Sequence, residues 1–294
     1  MRKGKPSRTA QSVAFARAIE SLRAPESRLF DDPYAERFLG RDGLWMLRRL
    51  RGSVSRRALL YFINQIGPGL LPYATARTAF IDEALAAALR RRTPQIVILG
   101  AGYDTRALRI PGIETAVVYE VDHPDTQAFK RARLGADMEA IQERVRFVGV
   151  DFDRQDLGER LRSAGFQFDR PSFVIWEGVT HYLPEEAVDA TLRVLATMNR
   201  GSEVVLTYMD RALIEGTRSF PGGRRLLFAV RLIGEPFRFG LAPTETAGFL
   251  RERGFELLED IGGHELSARY FAPLNRTDRA TETERLARAR IAGT

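Results

Sequence analysis

The chain has 294 residues, 44% of them hydrophobic and 28% charged, which is enough for one large α/β domain with a sizeable core and an appended cap. It contains no cysteine, so disulfides, thiolate catalysis and cysteine-based metal sites are excluded, and its three histidines are too far apart in sequence to predict a metal centre. No apolar run reaches the roughly 18 residues that would predict a transmembrane helix. The basic start is not followed by an apolar signal core, so we expect a cytoplasmic protein without a membrane partner.

The formal net charge is +7, and arginines carry most of the positive charge. A basic chain is typical of nucleic-acid-binding proteins. Here, however, the arginines are scattered through segments such as "LRRLRG" and "GGRRLLF" and are interleaved with acids elsewhere. This distribution favours solvated arginines and a preference for anionic substrates over a nucleic-acid partner.

The first 92 residues have a helical pattern, which predicts an N-terminal helical cap over 1–92. The segment "TAQSVAFARAIESLRA" carries apolar residues at helical spacing. In "DDPYAERFLG", Asp31 or Asp32 is a candidate N-cap and Pro33 suits the first helical position. A third segment, "ALLYFINQIGPGLLPY", breaks at its Gly-Pro-Gly, and the alanine-rich "ATARTAFIDEALAAALRRR" predicts a strong helix.

From residue 93 the pattern changes to short β-rich runs, most of them separated by helical segments, which predicts a Rossmann-like, doubly wound α/β domain over 93–294. A final segment, "ELSARYFAPLN", is a candidate antiparallel edge strand. An insertion at about 211–253, rich in aromatic residues, Gly and Pro, follows the fifth run and is expected to form a substrate-side wall. The six runs are "QIVILG", "TAVVYEVD", "VRFVGVD", "SFVIWEG", "EVVLTYM" and "FELLED".

The turn after the first predicted strand, "LGAGYDT", is a candidate ligand-binding turn, because doubly wound sheets bind ligands beyond the carboxyl ends of their strands. Gly100 and Gly102 let the backbone approach a bulky ligand. A dinucleotide fingerprint has a third glycine where this chain has Thr105, and the carboxylate of Asp104 would repel a pyrophosphate. A carboxylate suits a cationic or zwitterionic ligand, so the turn favours S-adenosylmethionine over NAD(P).

Acidic residues end the next predicted strands as well. Glu120 and Asp122 are two residues apart on one strand, about twenty residues past the glycine turn, where an acid accepts hydrogen bonds from ribose hydroxyls. Asp151 follows the third strand and is a candidate acceptor for the adenine amino group. Glu177 follows the fourth strand and is expected at the floor of the pocket. Together these strand ends indicate one polar ligand site.

The motifs "LGAGYDTRALR", "YEVDHP", "DFDRQDL" and "WEGVTHYLPEEAV", preceded by "ATARTAFID", resemble those of the leucine carboxyl methyltransferase family of class I S-adenosylmethionine-dependent methyltransferases. The resemblance covers most of the chain and is closer to the bacterial O-methyltransferase branch, polyketide-tailoring enzymes included. It implies a class I methyltransferase sheet and S-adenosyl-L-methionine as cofactor. The region around "WEGVTHYL" and the insertion differ from the enzymes that methylate a protein C-terminus, so substrate identity does not carry over.

The resemblance also implies which residues hold the cofactor. Arg77 would bind the methionine carboxylate, in agreement with the preference of a guanidinium for carboxylates, and Glu177 would bind the methionine ammonium. The other cofactor-binding candidates surround the amino acid moiety (Gly100, Ala101, Gly102 and Asp104), the ribose (Glu120 and Asp122) and the adenine (Asp151 and Phe152).

His181 and Tyr182, just after Glu177, are the candidates for contacting the methyl acceptor. A histidine there either acts as a general base or packs beside the cofactor, and the sequence leaves both roles open. A phenol or alcohol acceptor needs such a base. A carboxylate acceptor, already anionic at neutral pH, does not.

The favoured function is O-methylation of a carboxylate or phenolic hydroxyl on a small molecule, such as a polyketide-type product of secondary metabolism. Methylation of a protein carboxylate or of nucleic acid and a non-catalytic cofactor-binding role remain open. The chain lacks the D/N-P-P-Y/F-like loop that is usual in nucleic-acid amino-methyltransferases, and Thr105 disfavours a nicotinamide oxidoreductase. The oligomeric state is open, a homodimer included.

Overall fold

The computed structural model describes residues 8–52, 60–65, 67–150 and 155–292, and within these residues the centre of the molecule is an eight-stranded sheet. Seven strands follow the order β3-β2-β1-β4-β5-β8-β7, and β6 pairs with β5 outside that path. The strands are β1 (Gln95–Leu99), β2 (Val117–Asp122), β3 (Val145–Gly149), β4 (Ser172–Trp176), β5 (Glu203–Asp210), β6 (Gly240–Leu241), β7 (Phe255–Ile261) and β8 (Glu284–Ile291).

Strands β1 to β5 are parallel. Strand β1 lies at the switch point, where the order in which strands are added to the sheet reverses. It pairs with β2 on one side and with β4 on the other. Every residue of β1 and β4 is buried, which is why both strands are predominantly apolar in sequence. In sheets of this kind ligands bind beyond the carboxyl ends of the strands at the switch point, so the ends of β1, β2 and β4 are the expected site.

Helices make up the amino-terminal part of the chain and separate most of the strands. No helix among the described residues is long and apolar enough to cross a membrane. The amino-terminal helices are α1 (Arg8–Ser21), α2 (Arg41–Leu50), α3 (helical over 60–65) and α4 (Leu70–Arg90). The later ones are α5 (Arg106–Arg109), α6 (Pro124–Leu134), α7 (Ala136–Glu139), α8 (Leu157–Ser163), α9 (Glu185–Ala196), α10 (Arg211–Glu215), α11 (Gly223–Leu232), α12 (Thr246–Arg251) and α13 (Gly263–Leu266).

The amino-terminal helices share a hydrophobic core with the sheet. Ile19 of α1 and Leu85 of α4 belong to the same buried cluster as Ile98 of β1. Helices α1 and α4 lie where the sequence pattern predicted them. Because the cap and the sheet bury one continuous apolar surface, the division into 1–92 and 93–294 stays a prediction.

The segment that begins with Asp31 and Asp32 does not form the predicted helix. A short 3₁₀ helix, Ala35–Phe38, replaces it. The buried carboxylate of Asp32 accepts hydrogen bonds from Arg17 Nε and from Thr105 Oγ1, both at 2.7 Å. These partners hold Asp32 between α1 and the turn after β1, so the residue stabilises a tertiary contact rather than a helix N-terminus.

The prediction of a final strand at "ELSARYFAPLN" is wrong. This segment is helical: α13 continues into a π-helix over Ser267–Phe271 and a 3₁₀ helix over Ala272–Leu274. Leu266 and Phe271 are both fully buried, five positions apart, which fits a helical segment packed on the core.

The antiparallel strand is β8, and it lies between β5 and β7 instead of at the edge. Its sequence, "ERLARARI", alternates arginines with small apolar residues. Ala287 and Ala289 are fully buried, while Arg288 reaches the carboxylate of Glu203 at 2.8 Å. Because arginines interrupt the apolar residues and two of the buried positions are alanine, the hydrophobic signal for a central strand is weak in the sequence.

Candidate functional site

The turn after β1 packs against the residues that follow β4. Gly100 and Gly102 have φ angles of +64° and +47°, a region that favours glycine. A Cβ on Gly100 would collide with Cγ2 of Val179. Glycine at position 100 is therefore required both by the backbone conformation and by this close approach. The turn is anchored by Ala101, whose N–H donates to the carbonyl of Val121 at 3.0 Å.

Asp122, at the end of β2, is held against the same turn. Its Oδ2 accepts a hydrogen bond from the Gly102 N–H, and its Oδ1 accepts one from the His123 N–H at 2.6 Å. Burial raises the pKa of Asp122, and these two backbone donors oppose that effect. The structure thus places Asp122 next to the glycine turn, and its proposed contact with a ribose stays a prediction.

Glu120, predicted as a second ribose ligand, is engaged elsewhere. Its side chain is only 2% exposed and its Oε2 accepts from Lys130 Nζ of α6 at 2.6 Å. Burial raises the pKa of Glu120, and the Lys130 ammonium counteracts this shift. The Glu120 carboxylate thus compensates the charge of a buried lysine. The pattern of acids at the strand ends did not reveal that lysine.

Asp104 and Arg106, directly after the glycine turn, form the centre of a buried ion cluster. The carboxylate of Asp104 accepts from the Arg106 N–H at 2.7 Å and is ion-paired with the Arg106 guanidinium. Burial alone would raise the pKa of Asp104, but Arg106 and then Lys130 lower it to about 2. Asp82 of α4 completes the cluster by binding Arg106 Nε at 2.7 Å and Arg109 Nη1 at 2.6 Å. Asp104 is therefore turned toward arginine, and its predicted contact with the cofactor stays a prediction.

Arg77 of α4 and Glu177 after β4 form the ion pair at the centre of the site. Arg77 Nε donates to Glu177 Oε1 at 2.8 Å, and Arg106 Nη1 donates to Glu177 Oε2 at 2.8 Å. Burial by itself would raise the pKa of Glu177, but Arg106 and Arg77 lower it below its ordinary value. The two residues that the sequence assigned to opposite ends of an amino acid moiety are thus in direct contact.

A second carboxylate, Glu284, was missed by the sequence analysis. Arg77 Nη1 donates to Glu284 Oε1 at 3.0 Å, and the Glu284 side chain is 8% exposed. Burial alone would lower the pKa of Arg77, but Glu284 and then Glu177 raise it above its ordinary value. Glu284 is the first residue of β8. Because the sequence analysis did not recognise β8 as a strand, it also overlooked the acid at the start of that strand.

His181 and Tyr182 lie in a 3₁₀ helix, Thr180–Tyr182, beside this ion pair. The imidazole of His181 is buried, and its Nδ1 has no hydrogen-bond partner among the described residues. Burial and then the charge of Arg77 lower the pKa of His181 to about 3. His181 is therefore a neutral imidazole at neutral pH. Burial also raises the pKa of Tyr182, which keeps the phenol protonated.

Two elements outside the sheet cover these rings. The ring of Phe237, in the insertion, lies 5.0 Å from the His181 ring and 5.7 Å from the Tyr182 ring, measured between centroids. Thr9 of α1 makes a side-chain hydrogen bond with Tyr182 and donates to Glu235 Oε2 at 2.6 Å. Helix α1 and the insertion therefore meet beside His181 and Tyr182, and that this is the acceptor side stays a prediction.

The predicted residues fall into three groups. Asp151 and Phe152, assigned to the adenine, lie outside the described residues. Glu120 and Asp104 are bound to internal cations, as described above. The structure brings the others together at the carboxyl ends of β1, β2 and β4: Arg77, Gly100, Ala101, Gly102, Asp122, Glu177, His181 and Tyr182.

Known proteins resemble this chain in sequence and in fold. A "putative S-adenosyl-L-methionine-dependent methyltransferase" of Mycolicibacterium gilvum is 33% identical over 283 residues, which cover 90% of this chain and 87% of the relative. A protein of the same description from Streptomyces avermitilis is 32% identical over 256 residues, covering 84% of this chain and 82% of the relative. A crystal structure of a "putative methyltransferase" from Thermobifida fusca superposes with a TM-score of 0.57 at 18% identity, covering 99% of this chain and 97% of that one.

The fold and the relatives define the class of this protein: it is a class I S-adenosylmethionine-dependent methyltransferase. Within that class, the sequence model named leucine carboxyl methyltransferase matches residues 10–196. The chain therefore belongs to the leucine carboxyl methyltransferase family.

Proposed function

We propose that this protein transfers the methyl group of S-adenosylmethionine to a carboxylate oxygen of a small molecule. The observation that carries the proposal is the contact between Arg77, a buried cation, and Glu177, an anion whose side chain is 13% exposed, at the switch point of a doubly wound sheet. The steps below explain how this pair would hold the methyl donor and why a carboxylate is the favoured acceptor.

The Arg77–Glu177 pair fits the amino acid end of the donor. That end is a zwitterion, with an ammonium that suits Glu177 and a carboxylate that suits Arg77. A zwitterion inserted between the two side chains exchanges one ion pair for two, so neither buried charge is left without a partner. This matters because an unpaired buried charge costs several kcal/mol (roughly 3–5).

The backbone next to the pair leaves room for such a ligand. Gly178 has a φ of +68°, and among the described residues a Cβ built on it would have one atom within 4 Å, Arg77 Nη2 at 3.8 Å. A side chain at position 178 would therefore occupy the space in front of the guanidinium. Glycine keeps that space free for a ligand carboxylate.

The charge of the surrounding cluster also suits the donor. Within the described residues, the linked cluster contains one more carboxylate than guanidinium groups, so it has a net negative charge when all groups are ionised. The sulfonium of S-adenosylmethionine adds one positive charge to the zwitterion, and this charge would be compensated. The cluster consists of Arg17, Arg77, Arg106 and Arg109 with Asp32, Asp82, Asp104, Glu177 and Glu284.

When bound, S-adenosylmethionine supplies an electrophilic methyl group, and the protein must align an acceptor oxygen with it and exclude water. His181, Tyr182 and Phe237 form an aromatic wall beside the ion pair. Thr9 and Glu235 connect the two elements that cover this wall. A covered aromatic wall of this kind suits a small molecule better than a folded protein surface.

The state of the two candidate catalytic residues favours a carboxylate acceptor. His181 is neutral because burial and Arg77 lower its pKa to about 3, so it is a weak base for removing the proton of a phenol. Tyr182 is equally unsuited, since burial raises its pKa and keeps it protonated. A carboxylate arrives as the anion and needs no proton removal. His181 and Tyr182 would then orient the acceptor and exclude water.

Calorimetry and a methyl-transfer assay would test the proposal. Binding of S-adenosylmethionine, S-adenosylhomocysteine and NADPH is measured first, and we expect affinity for the first two only. Transfer of a labelled methyl is then compared among carboxylic acids, phenols, peptides ending in leucine, and nucleic acid. Methyl esters of small acids, lost on mild alkaline hydrolysis, are the expected product. Transfer to phenols alone, or to the peptides alone, would contradict the assignment of the acceptor.

A further inference from the structure

We infer that Glu284 is a positioning residue for Arg77. It holds the Arg77 guanidinium in place when the ammonium of the cofactor replaces Arg77 as a partner of Glu177. The inference rests on the proposed function, in which Arg77 binds the methionine carboxylate. It concerns a residue on β8, a strand that contributes no other member of the predicted site.

The geometry divides the guanidinium of Arg77 among separate partners. Nε is bound to Glu177 Oε1 at 2.8 Å and Nη1 to Glu284 Oε1 at 3.0 Å, whereas Nη2 faces the space beside Gly178. If Glu177 turns to a ligand ammonium, Arg77 keeps its contact with Glu284. The Nη2 and Nε donors then point together toward the ligand, which is the fork arrangement that binds a carboxylate.

Glu284 is itself held rigidly. It pairs with Met209 across the antiparallel β5–β8 ladder, and Arg77 and then the Thr207 side chain oppose the rise that burial causes in the pKa of its carboxyl group. The same Thr207 hydroxyl oxygen accepts the N–H of Gly178 at 2.8 Å. Glu284, Arg77 and the backbone after Glu177 therefore form one connected unit, in which a shift of Glu284 would move the carboxylate receptor.

Glu177 has an equivalent support, which makes the arrangement symmetrical. Arg106 Nη1 holds Glu177 Oε2 at 2.8 Å and is fixed by Asp104. Each member of the central pair thus has one partner from outside the pair. When a zwitterion separates the pair, Arg77 stays bound to Glu284 and Glu177 stays bound to Arg106. Neither side chain then has to move in from solvent to bind the ligand.

The experiment compares two nucleoside ligands that differ in the amino acid end. S-Adenosylhomocysteine carries the zwitterion, and 5′-deoxy-5′-methylthioadenosine lacks it. Dissociation constants are measured by calorimetry for the wild type, Glu284→Gln and Glu284→Asp. We expect Glu284→Gln to weaken S-adenosylhomocysteine about tenfold or more, since a charged hydrogen bond is lost, and to leave methylthioadenosine binding unchanged. Glu284→Asp should recover part of the loss.

A matched control separates positioning from a general loss of stability. Glu203, at the other end of β5, is also a buried carboxylate that pairs with arginines, Arg91 at 2.6 Å and Arg288 at 2.8 Å. Glu203→Gln should lower the melting temperature without changing the ratio of the two dissociation constants. In an Arg77→Gln background, Glu284→Gln should cause no further loss, because the residue that it positions is already gone.

The outcomes distinguish this inference from the proposed function. Equal weakening of both ligands by Glu284→Gln, or unchanged binding of both, would overturn the positioning role. Failure of the wild type to bind S-adenosylhomocysteine would instead overturn the proposed function. An undiminished effect of Glu284→Gln in the Arg77→Gln background would show that Glu284 acts on the ligand by another route, and would also contradict the inference.

Discussion

Thr9 and Glu235 are 226 positions apart in the chain, yet Thr9 Oγ1 donates a hydrogen bond to Glu235 Oε2 at 2.6 Å. This contact joins α1 to the insertion after β5, close to Tyr182. A single side-chain hydrogen bond to a charged group contributes roughly 1.5–3 kcal/mol, and less where the group is partly exposed. The bond therefore helps to hold α1 and the insertion together.

Removal of this contact should affect the acceptor more than the cofactor. We expect Glu235→Ala to raise the KM for the acceptor by about fivefold, with little change in the affinity for S-adenosylmethionine. Steady-state kinetics and calorimetry on the same variant would measure the two effects. Thr9→Val, which keeps the shape of the side chain and removes its donor, should reproduce the result. A loss confined to cofactor affinity would contradict the placement of the acceptor under this cover.

The central ion pair predicts that both of its members are needed to bind the methyl donor. Arg77→Gln and Glu177→Gln should each weaken S-adenosylmethionine by about a hundredfold, because each leaves one charge of the bound zwitterion without its partner in a buried site. Calorimetry gives the affinities, and circular dichroism shows whether the variant is folded. Arg91→Gln, which removes a half-exposed guanidinium at the opposite end of the sheet, is the control and should bind normally.

His181 is expected to be a wall residue and not a base. His181→Phe should retain activity on a carboxylate acceptor to within a few-fold of the wild type, since a neutral phenyl ring replaces a neutral imidazole ring. The pH profile of kcat should show no step near 6.5, because the pKa of His181 lies at about 3. A general base would contribute roughly a hundredfold to ten-thousandfold. A loss of that size in the methyl-transfer assay would therefore contradict this role.

Asp104 should stabilise the folded protein in a pH-dependent way. Its pKa falls from 3.8 to about 2 on folding because Arg106 and then Lys130 outweigh the effect of burial. A carboxyl group with a lowered folded-state pKa adds stability above its unfolded pKa and loses that contribution as the pH falls through the folded value. The difference in unfolding free energy between wild type and Asp104→Asn should thus be constant above about pH 5 and shrink toward pH 2. Urea denaturation across this range measures it, and a difference that grows on acidification would refute the assignment.

The close approach of Gly100 and Val179 gives a steric prediction. Gly100→Ala should destabilise the protein by about 1–3 kcal/mol, because alanine is strained at a positive φ and its Cβ meets Val179 Cγ2. Val179→Ala should relieve the clash but not the backbone strain, so the double variant should recover only part of the loss. Thermal unfolding of the three variants is the measurement. Full recovery in the double variant would show that the backbone at position 100 is not strained.

That several candidate site residues lie close together could be predicted from the sequence, because glycines and acids recur at the strand ends. The carboxyl ends of parallel strands meet at one edge of a sheet, so the residues after "QIVIL", "VVYEV" and "SFVIW" had to lie close together once the strands were recognised. This is why Gly100, Asp122 and Glu177 could be assigned to one site. The runs that form β1, β4 and β5 were recognisable because these strands are buried throughout and are therefore largely apolar along their length.

The partners of the acidic residues could not be predicted, because a local pattern does not show which cation the folded chain turns toward each carboxylate. Lys130 compensates Glu120 from the following helix, and Arg106 takes the carboxylate of Asp104. The sequence shows that an acid is present, but it does not show which cation faces it. Folding decides which cation pairs with each acid, since a buried carboxylate must find a partner within hydrogen-bonding distance.

The sequence by itself determined the alternating α/β order, the glycine turn and the acids at the strand ends, because local patterns and short spacings define them. Only the tertiary structure decided that β8 lies inside the sheet and carries Glu284 to Arg77, and that His181 is neutral. These properties depend on contacts between segments up to 207 positions apart. A charge state or an ion pair of that kind is set by the dielectric and the partners that folding brings together, and no local pattern encodes them.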